Sequence, residues 1–293
     1  MSRRSPRRSR PERPGPSGFL VVDKPAGRTS HDIVDEARRW LGTRRVGHLG
    51  TLDPQATGVL PLAIRQATKL IHYIEDKQKV YDGTIVLGIE TDTLDAEGEV
   101  VARHDGPLPS RDQVLAALAR FRGDVQQVPP MYSAVKKDGV PLHRLARQGI
   151  DVEREPKWIT IDELELLRFE PPAFDLRVRC SAGTYVRVLA SDLGRALGCG
   201  AHLSALRRTQ SGPFRIEQAR TVAECADAAA KEELEASLIP PALALGFPTL
   251  TVSGEQQRRL QNGGDLAAGE LHREPPGTRV ALLDVSGQIL AVA

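Results

Sequence analysis

The sequence predicts an α+β fold, because strand-like and helix-like segments are interspersed without a regular βαβ rhythm. Two segments show the contrast. From Phe174 to Cys180, apolar and charged residues alternate, as on a half-buried strand. From Ser110 to Arg122, apolar residues recur at helical spacing, and Gly123 suits the helix end. A doubly wound parallel sheet is therefore not expected.

The composition is that of an ordinary globular protein. The chain has 293 residues, of which 40% are hydrophobic and 27% are charged. No apolar run approaches the ~20 residues that cross a bilayer. The first apolar run, Phe19–Val22, is too short for a secretory signal. We therefore expect a cytoplasmic protein without a membrane segment.

The charge is unevenly distributed. Residues 1–18 hold six arginines and one glutamate, a net charge of +5, so the overall charge of +2 leaves −3 for the remainder. Residues 1–17 have almost no apolar side chain and are predicted to be a disordered basic tail. The tail is either an electrostatic arm for RNA or a solvated extension, and its composition favours the extension. A nucleic acid must then be bound through local basic surfaces.

The ordered chain begins at Gly18, and its first elements lead into a polar loop. The segment FLVVDKP is a predicted strand that ends at Pro25. Ser30 is the predicted N-cap of a helix that Gly42 ends. The loop GTRRVGHLGTLDPQATGVLP follows, and long loops between rigid elements often carry function.

Further elements are predicted along the rest of the chain. They are a strand at Val80–Glu90 followed by the acidic turn TDTLDAEGE; the helix from Ser110, with Val114, Leu115, Leu118 and Phe121 facing inward; an excursion at 124–156; a helix in GTYVRVLASDLGRALG, with Val188, Leu189, Leu193 and Leu197 on one side; a helical region at 221–237; and a C-terminal hairpin with Ser286-Gly287 at its turn.

Asp53 is the candidate for chemistry in the polar loop. Pro54 holds it in a stiff turn, and a rigid carboxylate can act as a nucleophile or a base. The alternative is an Asx-turn, in which the side chain only satisfies backbone N–H groups. Gly47, Gly50 and Gly58 would let the backbone approach a ligand closely, and this context favours the chemical interpretation.

Motifs for cofactors and metals are missing from the sequence. GTLDPQATG has no Gly-Lys-Ser/Thr of a phosphate-binding loop, and no G-x-G-x-x-G follows a strand. There is no H-E-x-x-H, and Cys180, Cys199 and Cys225 form no C-x-x-C pair. We therefore expect neither a cofactor nor a metal, and buried thiols rather than disulfides.

Other residues are candidates for binding RNA. Tyr81 and Tyr185 could stack on bases, although each taken singly is better explained by core packing. Arg187 could hold a carboxylate bidentately, and the alternative is a surface arginine. The basic pairs Arg44-Arg45, Lys136-Lys137 and Arg207-Arg208 could together form a phosphate-contacting surface.

Several segments resemble one family in the same order along the chain. GHLGTLDPQATGVLP is similar to the catalytic loop of the TruB family of bacterial tRNA pseudouridine-55 synthases. The other matching segments are VDKPAGRTSHDIV, ATKL, KVYDGTIVLGIETDTLDAEGE, PPMYSAVKKDGVPLHRLARQG, CSAGTYVRVLASDLG and AHLSALRRTQSGPF. The resemblance covers about residues 18–245.

The resemblance implies a pseudouridine synthase fold with a mixed, largely antiparallel sheet flanked by helices. Residues 18–245 would be the catalytic domain, with a thumb-like insertion at about 124–156. Residues 248–293 would be a small PUA-like RNA-binding domain. The substrate would be the T-loop of tRNA. The protein would need no cofactor, metal or protein partner, and we expect it to be a monomer.

The resemblance also implies roles for single residues. Asp53 would attack the target nucleoside, Tyr81 would stack on the flipped uracil, and Arg187 would pair with the aspartate. The remaining expected substrate-binding positions, including two from the basic pairs, are His48, Lys69, Tyr185, Leu206, Lys136 and Arg208. Attack at C1′ and attack at C6 are equally compatible with the sequence.

Alternative functions remain open at this point. A guide-RNA-dependent pseudouridine synthase shares the catalytic loop, but it typically lacks the insertion and has a larger PUA domain. A non-catalytic tRNA-binding or folding chaperone would not need Asp53, Tyr81 and Arg187 together. A hydrolase that uses Asp53 as a general base would need a second acid, and the sequence offers none at a recognisable spacing.

Overall fold

The fold is taken from a computed structural model, which describes residues 14–133, 135–137, 139–264, 266, 275, 277–285 and 287–293. Most of the predicted basic tail, residues 1–13, lies outside the described residues, as does Ser286 of the predicted hairpin turn. No helix in the described part of the chain is both long and apolar enough to span a membrane.

The chain forms seventeen described strands and seven described α-helices, with the following bounds. The strands are β1 (Gly18–Lys24), β2 (Val46–His48), β3 (Thr57–Ile64), β4 (Lys79–Leu87), β5 (Ile89–Thr91), β6 (Val100–Arg103), β7 (Gly123–Gln127), β8 (Lys136–Lys137), β9 (Val140–Pro141), β10 (Lys157–Glu170), β11 (Ala173–Cys180), β12 (Ala201–Ser211), β13 (Phe214–Arg215), β14 (Arg220–Thr221), β15 (Thr249–Thr251), β16 (Ala281–Leu283) and β17 (Ile289–Val292). The helices are α1 (Ser30–Trp40), α2 (Arg111–Arg120), α3 (Leu142–Ala146), α4 (Val186–Leu197), α5 (Val222–Ala230), α6 (Pro241–Leu245) and α7 (Gly254–Gln261).

A mixed sheet of ten described strands forms the centre of the molecule. Its main path runs β14-β1-β3-β12-β4-β11-β10-β7, with β2 on β3 and β13 on β12. The β1–β14 and β3–β12 pairs are parallel, and the other pairs are antiparallel. The predicted α+β class with a largely antiparallel sheet is therefore confirmed.

The sheet strands follow their sequence patterns closely. β11 buries every second residue, as the alternation from Phe174 to Cys180 predicts. β1 and β3 are buried almost throughout, because core residues cover both of their faces. The strand predicted at Val80–Glu90 is interrupted: β4 ends at Leu87, and Gly88, with a φ of 82°, separates it from β5.

Two details of the predicted helices are wrong. The N-cap of α1 is Thr29 rather than Ser30, because Thr29 and Asp32 form a reciprocal capping box. Leu115 does not face inward and is 37% exposed, because α2 buries Val114, Ala117 and Leu118 against the rest of the core. The predicted cap at Ser110 is confirmed.

The excursion at 124–156 begins within the sheet. Its first residues, up to Gln127, belong to β7, which pairs with β10 at the edge of the sheet. The segment after β7 contains the β8–β9 pair and the short helix α3. Near its two ends, Nη1 of Arg154 donates to the carbonyl oxygen of Pro129 at 3.2 Å, which holds the ends of the excursion together.

The C-terminal residues form a small unit with its own apolar cluster. β15, β16 and β17 form a three-stranded sheet, and Val252, Val280 and Leu282 are buried against it. The predicted C-terminal hairpin is confirmed as the antiparallel β16–β17 pair. The hairpin contacts the main part of the chain through Ile289 and Val292, which pack against the apolar cluster that contains Phe19.

Arg65 ties three distant segments together behind the sheet. Its side chain donates to the carbonyl oxygens of Pro16 and Leu41, at 2.9 and 3.2 Å, and lies 2.7 Å from Glu235. The residue is 6% exposed and has a φ of 54°, a conformation that costs energy outside glycine. The contacts therefore offset both desolvation and backbone strain.

We predict that Arg65→Ala lowers the free energy of unfolding by ~2 kcal/mol, because a partly buried carboxylate and two carbonyl groups lose their partner. Urea denaturation measures the change. Arg168→Ala is the control, since Arg168 pairs with Glu170 at an exposed site and its loss should leave the unfolding midpoint almost unchanged. Equal midpoints for both variants would contradict the interpretation.

Candidate active site

The loop between β2 and β3 carries Asp53 on a backbone that neighbouring segments hold in place. Lys24 is fully buried, and its Nζ donates to the carbonyl oxygens of Pro54, Pro25 and Arg28 at 2.7–2.8 Å. The backbone N–H of Gly27 donates to the same Pro54 oxygen at 3.0 Å. The residue after Asp53 is thus anchored to the segment that leads into α1.

Arg208 holds the other part of the loop. It is 1% exposed, and its guanidinium donates to the carbonyl oxygens of Gly50, Thr51 and Val59 at 3.1, 3.2 and 2.7 Å. A Cβ at Gly58 would lie 2.2 Å from the carbonyl oxygen of Arg208, so the close approach of β3 and β12 requires glycine there. At Gly58 the backbone therefore approaches β12, not a ligand.

Asp53 faces an arginine at the start of α4. Nη2 of Arg187 lies 3.2 Å from Oδ2 of Asp53, and Nη1 lies 3.3 Å from Oδ2 of Asp95. The arginine side chain is 6% exposed, whereas the Asp53 side chain is 43% exposed. Arg187 therefore joins two carboxylates, and Asp53 is the one that is accessible to a ligand.

The partners of Arg187 are themselves held. Nη2 also donates to the carbonyl oxygen of Tyr132 at 2.6 Å. Oδ1 of Asp95 accepts from the Thr93 hydroxyl at 2.6 Å and from the Glu97 amide at 3.1 Å. These contacts fix the guanidinium before any ligand binds, which keeps the Asp53 carboxylate in one orientation.

Burial and charge act in opposite directions on Asp53. Burial raises the pKa of Asp53 above its usual range, and the nearby carboxylates of Asp95 and Glu97 add to this. Arg187 is the largest opposing influence and lowers the pKa. The ionised, nucleophilic form of Asp53 therefore depends on the guanidinium beside it.

Asp53 and Arg187 lie in the wall of a cavity of about 480 Å³. Tyr81 on β4 is 8% exposed and contributes its ring to the same wall. Burial raises the pKa of Tyr81 above its usual value near 10, so the phenol is protonated at neutral pH. The cavity thus offers a carboxylate beside a neutral aromatic surface.

Most of the expected site residues meet in this cavity. Its wall includes His48, Asp53, Tyr81, Tyr185, Arg187, Leu206 and Arg208. Nδ1 of His48 accepts from the Gly50 amide at 3.3 Å, and burial lowers the pKa of His48. Tyr185 is the N-cap residue of α4, and its ring centroid lies 5.9 Å from Cζ of Arg187.

Two of the expected residues lie elsewhere. Lys69 is exposed at the end of a short helix, Arg65–Lys69, and Lys136 is exposed on β8. Neither side chain contributes to the cavity wall. Their proposed contacts with a ligand would have to lie outside the pocket.

The expected phosphate-contacting surface needs correction at Arg207-Arg208. Arg208 is buried and bonds to the loop backbone, so it is not available at the surface. Arg207 is partly exposed but forms two hydrogen bonds with the carboxylate of Asp23, at 3.0 and 2.7 Å. Local sequence did not reveal either contact, because the partners come from distant segments.

The structure adds residues that the sequence analysis did not single out. Lys24, Asp95 and Lys79 are the clearest cases. Lys79 lies in the cavity wall, and its Nζ donates to the Ser211 hydroxyl at 2.7 Å. Burial lowers the pKa of Lys24 and of Lys79 to about 8. A lysine at the end of the apolar run FLVVDK was the available signal for Lys24.

The arrangement suits nucleophilic chemistry on a flat ligand. An ionised carboxylate, fixed by a buried guanidinium, can attack an electrophilic carbon of a ring that stacks on Tyr81. Among the described residues, no three His, Cys, Asp or Glu side chains are grouped so that they could hold a metal ion.

Comparisons with known proteins agree with this geometry. The family model "TruB family pseudouridylate synthase (N terminal domain)" matches residues 38–186, and the model "tRNA pseudouridylate synthase B C-terminal domain" matches residues 187–245. The two matches meet between Val186 and Arg187, so the ion pair spans both: Asp53 lies in the first match and Arg187 in the second.

Curated relatives align with most of the chain. The tRNA pseudouridine synthase B of Syntrophotalea carbinolica is 46% identical over 278 residues, which are 93% of this chain and 90% of the relative. The synthase of the same name from Opitutus terrae is 51% identical over 223 residues, or 76% of this chain and 92% of the relative.

Solved structures share the fold. A protein chain of a Cbf5–Nop10–Gar1 complex matches with a TM-score of 0.68 and 28% identity, covering 94% of this chain and 77% of that chain. A chain of an H/ACA RNP bound to a substrate RNA containing 2′-deoxyuridine matches with a TM-score of 0.67 and 26% identity, with the same coverage. Together with the family models and the relatives, these matches show that the chain belongs to the TruB family of pseudouridylate synthases.

Proposed function

We propose that this protein converts the uridine at position 55, in the T-loop of tRNA, to pseudouridine, with Asp53 as the nucleophile. The observation that carries the proposal is the Asp53–Arg187 pair in a cavity whose wall also includes Tyr81. The relatives named tRNA pseudouridine synthase B support tRNA as the substrate.

The reaction is an isomerisation of one nucleoside. The C1′–N1 bond breaks, the uracil rotates while it remains in the cavity, and a C1′–C5 bond forms. The hydrogen on C5 leaves as a proton, and N1 gains one, so atoms and electrons balance without a redox partner. Asp53 supplies the electron pair for the first attack and recovers it when the new bond forms.

The target base must leave its stack to reach Asp53. Tyr81 provides a flat surface for the flipped uracil, and stacking on an aromatic ring contributes ~1–3 kcal/mol per base. Arg187 keeps the carboxylate ionised and oriented. We assign the rest of the cavity wall, including His48, Tyr185 and Leu206, to contacts with the flipped nucleotide.

Contacts with the rest of the tRNA are proposed outside the cavity. Lys69 and the thumb-like insertion with Lys136 present exposed cations that suit the phosphate backbone. The C-terminal unit, a three-stranded sheet with α7, is proposed as a PUA-like RNA-binding domain. We propose that the protein acts in the cytoplasm as a monomer without a protein partner, and the three residues of the proposed chemistry, Asp53, Tyr81 and Arg187, all come from one chain.

A guide-RNA-dependent activity is the main competing proposal, because the matching solved chains come from the H/ACA complexes described above. The residues between β7 and β10 contain the β8–β9 pair and α3 and correspond to the thumb-like insertion. Because guide-dependent synthases typically lack this insertion, its presence favours direct recognition of tRNA. Activity of the purified chain on a tRNA transcript separates the two, because a guide-dependent enzyme would need added RNA and partners.

We predict that wild-type protein releases tritium from a tRNA transcript that carries 5-tritiated uridine, and that Asp53→Asn abolishes release while tRNA binding stays nearly unchanged. Tritium release reports the loss of hydrogen from C5 of the target uracil. The side-chain amide of the substituted asparagine cannot replace the carboxylate as the nucleophile. About one equivalent should be released per tRNA, and none from a transcript whose T-loop target is replaced by cytidine.

Two outcomes would contradict parts of this proposal. Binding of tRNA without tritium release would favour a chaperone role or a guide-dependent substrate. Full release from the transcript without the T-loop uridine would retain the chemistry and reject the target. A parallel loss of binding in Asp53→Asn would indicate that Asp53 supports the loop structure instead.

We also predict a change in pH dependence for Arg187→Ala. Asp53 must be ionised to react, so kcat/KM should fall as the pH falls through its raised pKa. Arg187 lowers that pKa, and its removal should move the fall to higher pH in addition to reducing the plateau. The profile of tritium release from pH 5 to 8 measures this shift.

Arg177→Ala is the matched control for this experiment. Arg177 forms a bidentate pair with Asp82, at 2.7 and 2.8 Å, on the same sheet but outside the cavity wall. Loss of the Arg177 side chain should not change the pH at which kcat/KM falls on the acidic side of the profile, which we call the acidic limb. Identical limbs for wild type and Arg187→Ala would reject the role assigned to the guanidinium.

A further inference from the structure

Ser30 is buried beside the catalytic loop and contacts one residue of that loop twice. The Leu52 amide donates to Ser30 Oγ at 2.8 Å, and Ser30 Oγ donates to the Leu52 carbonyl oxygen at 3.1 Å. Ser30 and Leu52 are 2% and 3% exposed. A single hydroxyl therefore replaces the backbone partner that a neighbouring strand would provide.

The helix does not need this hydroxyl. Thr29 is the N-cap of α1: the Asp32 amide donates to its hydroxyl at 3.1 Å, and its own amide donates to the Asp32 carboxylate at 2.8 Å. The capping box is therefore complete without Ser30. The Ser30 side chain is left to bond to the loop, although the sequence alone suggested that it caps the helix.

Each anchor of the loop serves a different residue. Arg208 binds the carbonyl groups of Gly50 and Thr51, and Lys24 binds that of Pro54. Leu52 lies between these anchors, and Ser30 is the partner of both its backbone groups. Without the hydroxyl, a buried N–H and a buried C=O would both lack a partner, which drives the peptide to move.

We propose that Ser30 is a positioning residue for the reaction, which fixes Leu52 and thereby aims the next side chain, Asp53, at Arg187. The inference rests on the proposed role of Asp53 as the nucleophile. The Leu52 peptide is directly bonded to Asp53, so a rotation of that peptide moves the carboxylate relative to the guanidinium 3.2 Å away.

The expected effect is on the chemical step rather than on substrate binding. A shift of about 1 Å at a reacting group can lower the rate by ~100-fold, whereas contacts with the rest of the tRNA are unaffected. A carboxylate that has moved away from Arg187 also loses the influence that lowers its pKa. Its ionisation should then need a higher pH.

The experiment measures single-turnover tritium release with full-length Ser30→Ala in excess over tRNA. We expect a rate constant at least ~10-fold below that of wild type, a Kd for tRNA within about 2-fold, and an acidic limb displaced to higher pH. As long as the folded enzyme remains in saturating excess over tRNA, a partly unfolded sample leaves the rate constant unchanged. Ser30→Thr keeps the hydroxyl and should recover most of the rate and the wild-type profile.

Ser181→Ala is the matched control, because the Ser181 hydroxyl also accepts from a backbone amide, that of Thr160, at 3.0 Å and lies outside the cavity wall. It should retain the wild-type rate constant and pH profile. An unchanged rate constant in Ser30→Ala, an equal loss in Ser181→Ala, or a Ser30→Thr variant as slow as Ser30→Ala would each overturn the proposal. Absence of release by wild type would instead reject the proposed function itself.

Discussion

The ion pair between Asp53 and Arg187 is the interaction on which the architecture of the site depends. The guanidinium of Arg187 is only 6% exposed and is stabilised by two anionic partners, Asp53 and Asp95, from two different loops. The two carboxylates are not equivalent. Asp95 is enclosed by Thr93 and the Glu97 amide, whereas Asp53 keeps an open side towards the cavity. Of the two carboxylates, Asp53 is therefore the one that is more accessible to a ligand in the cavity.

This arrangement requires an unusually well-held loop. Asp53 lies between residues whose backbone groups are bound by side chains from β1, α1 and β12, namely Lys24, Ser30 and Arg208. All three side chains are almost completely buried. Burial of two cations to bind neutral carbonyl groups is costly for stability, as the lowered pKa of Lys24 shows. Their presence is explained by the geometry they impose on the loop, not by the stability they contribute.

The sequence allowed a good prediction of features with local causes. The alternation in β11, the cap at Ser110 and the C-terminal hairpin are visible in neighbouring residues, and the structure contains all three. Ser30 was misassigned because Thr29 and Ser30 are both good capping residues, and only the tertiary contact with Leu52 distinguishes them. The burial of Arg208 and the contact of Asp95 with Arg187 were missed for a related reason. Their partners lie far away along the chain, and nothing local indicates which arginine of a basic pair is buried. Tyr81, Tyr185 and Arg187 were candidates from their residue types, and only the resemblance favoured a functional role over core packing or surface exposure.

The order of strands has a consequence for how the protein is made. β12 lies between β3 and β4 in the sheet, yet it follows both in the sequence by more than a hundred residues. It carries Leu206 and Arg208, and it separates the strand after the catalytic loop from the strand with Tyr81. A nascent chain that has not yet emerged as far as β12 therefore contains Asp53, Tyr81 and Arg187 but lacks one wall of the cavity that they line. The cavity can be completed only after this central strand has paired with both β3 and β4, which are distant from it along the chain.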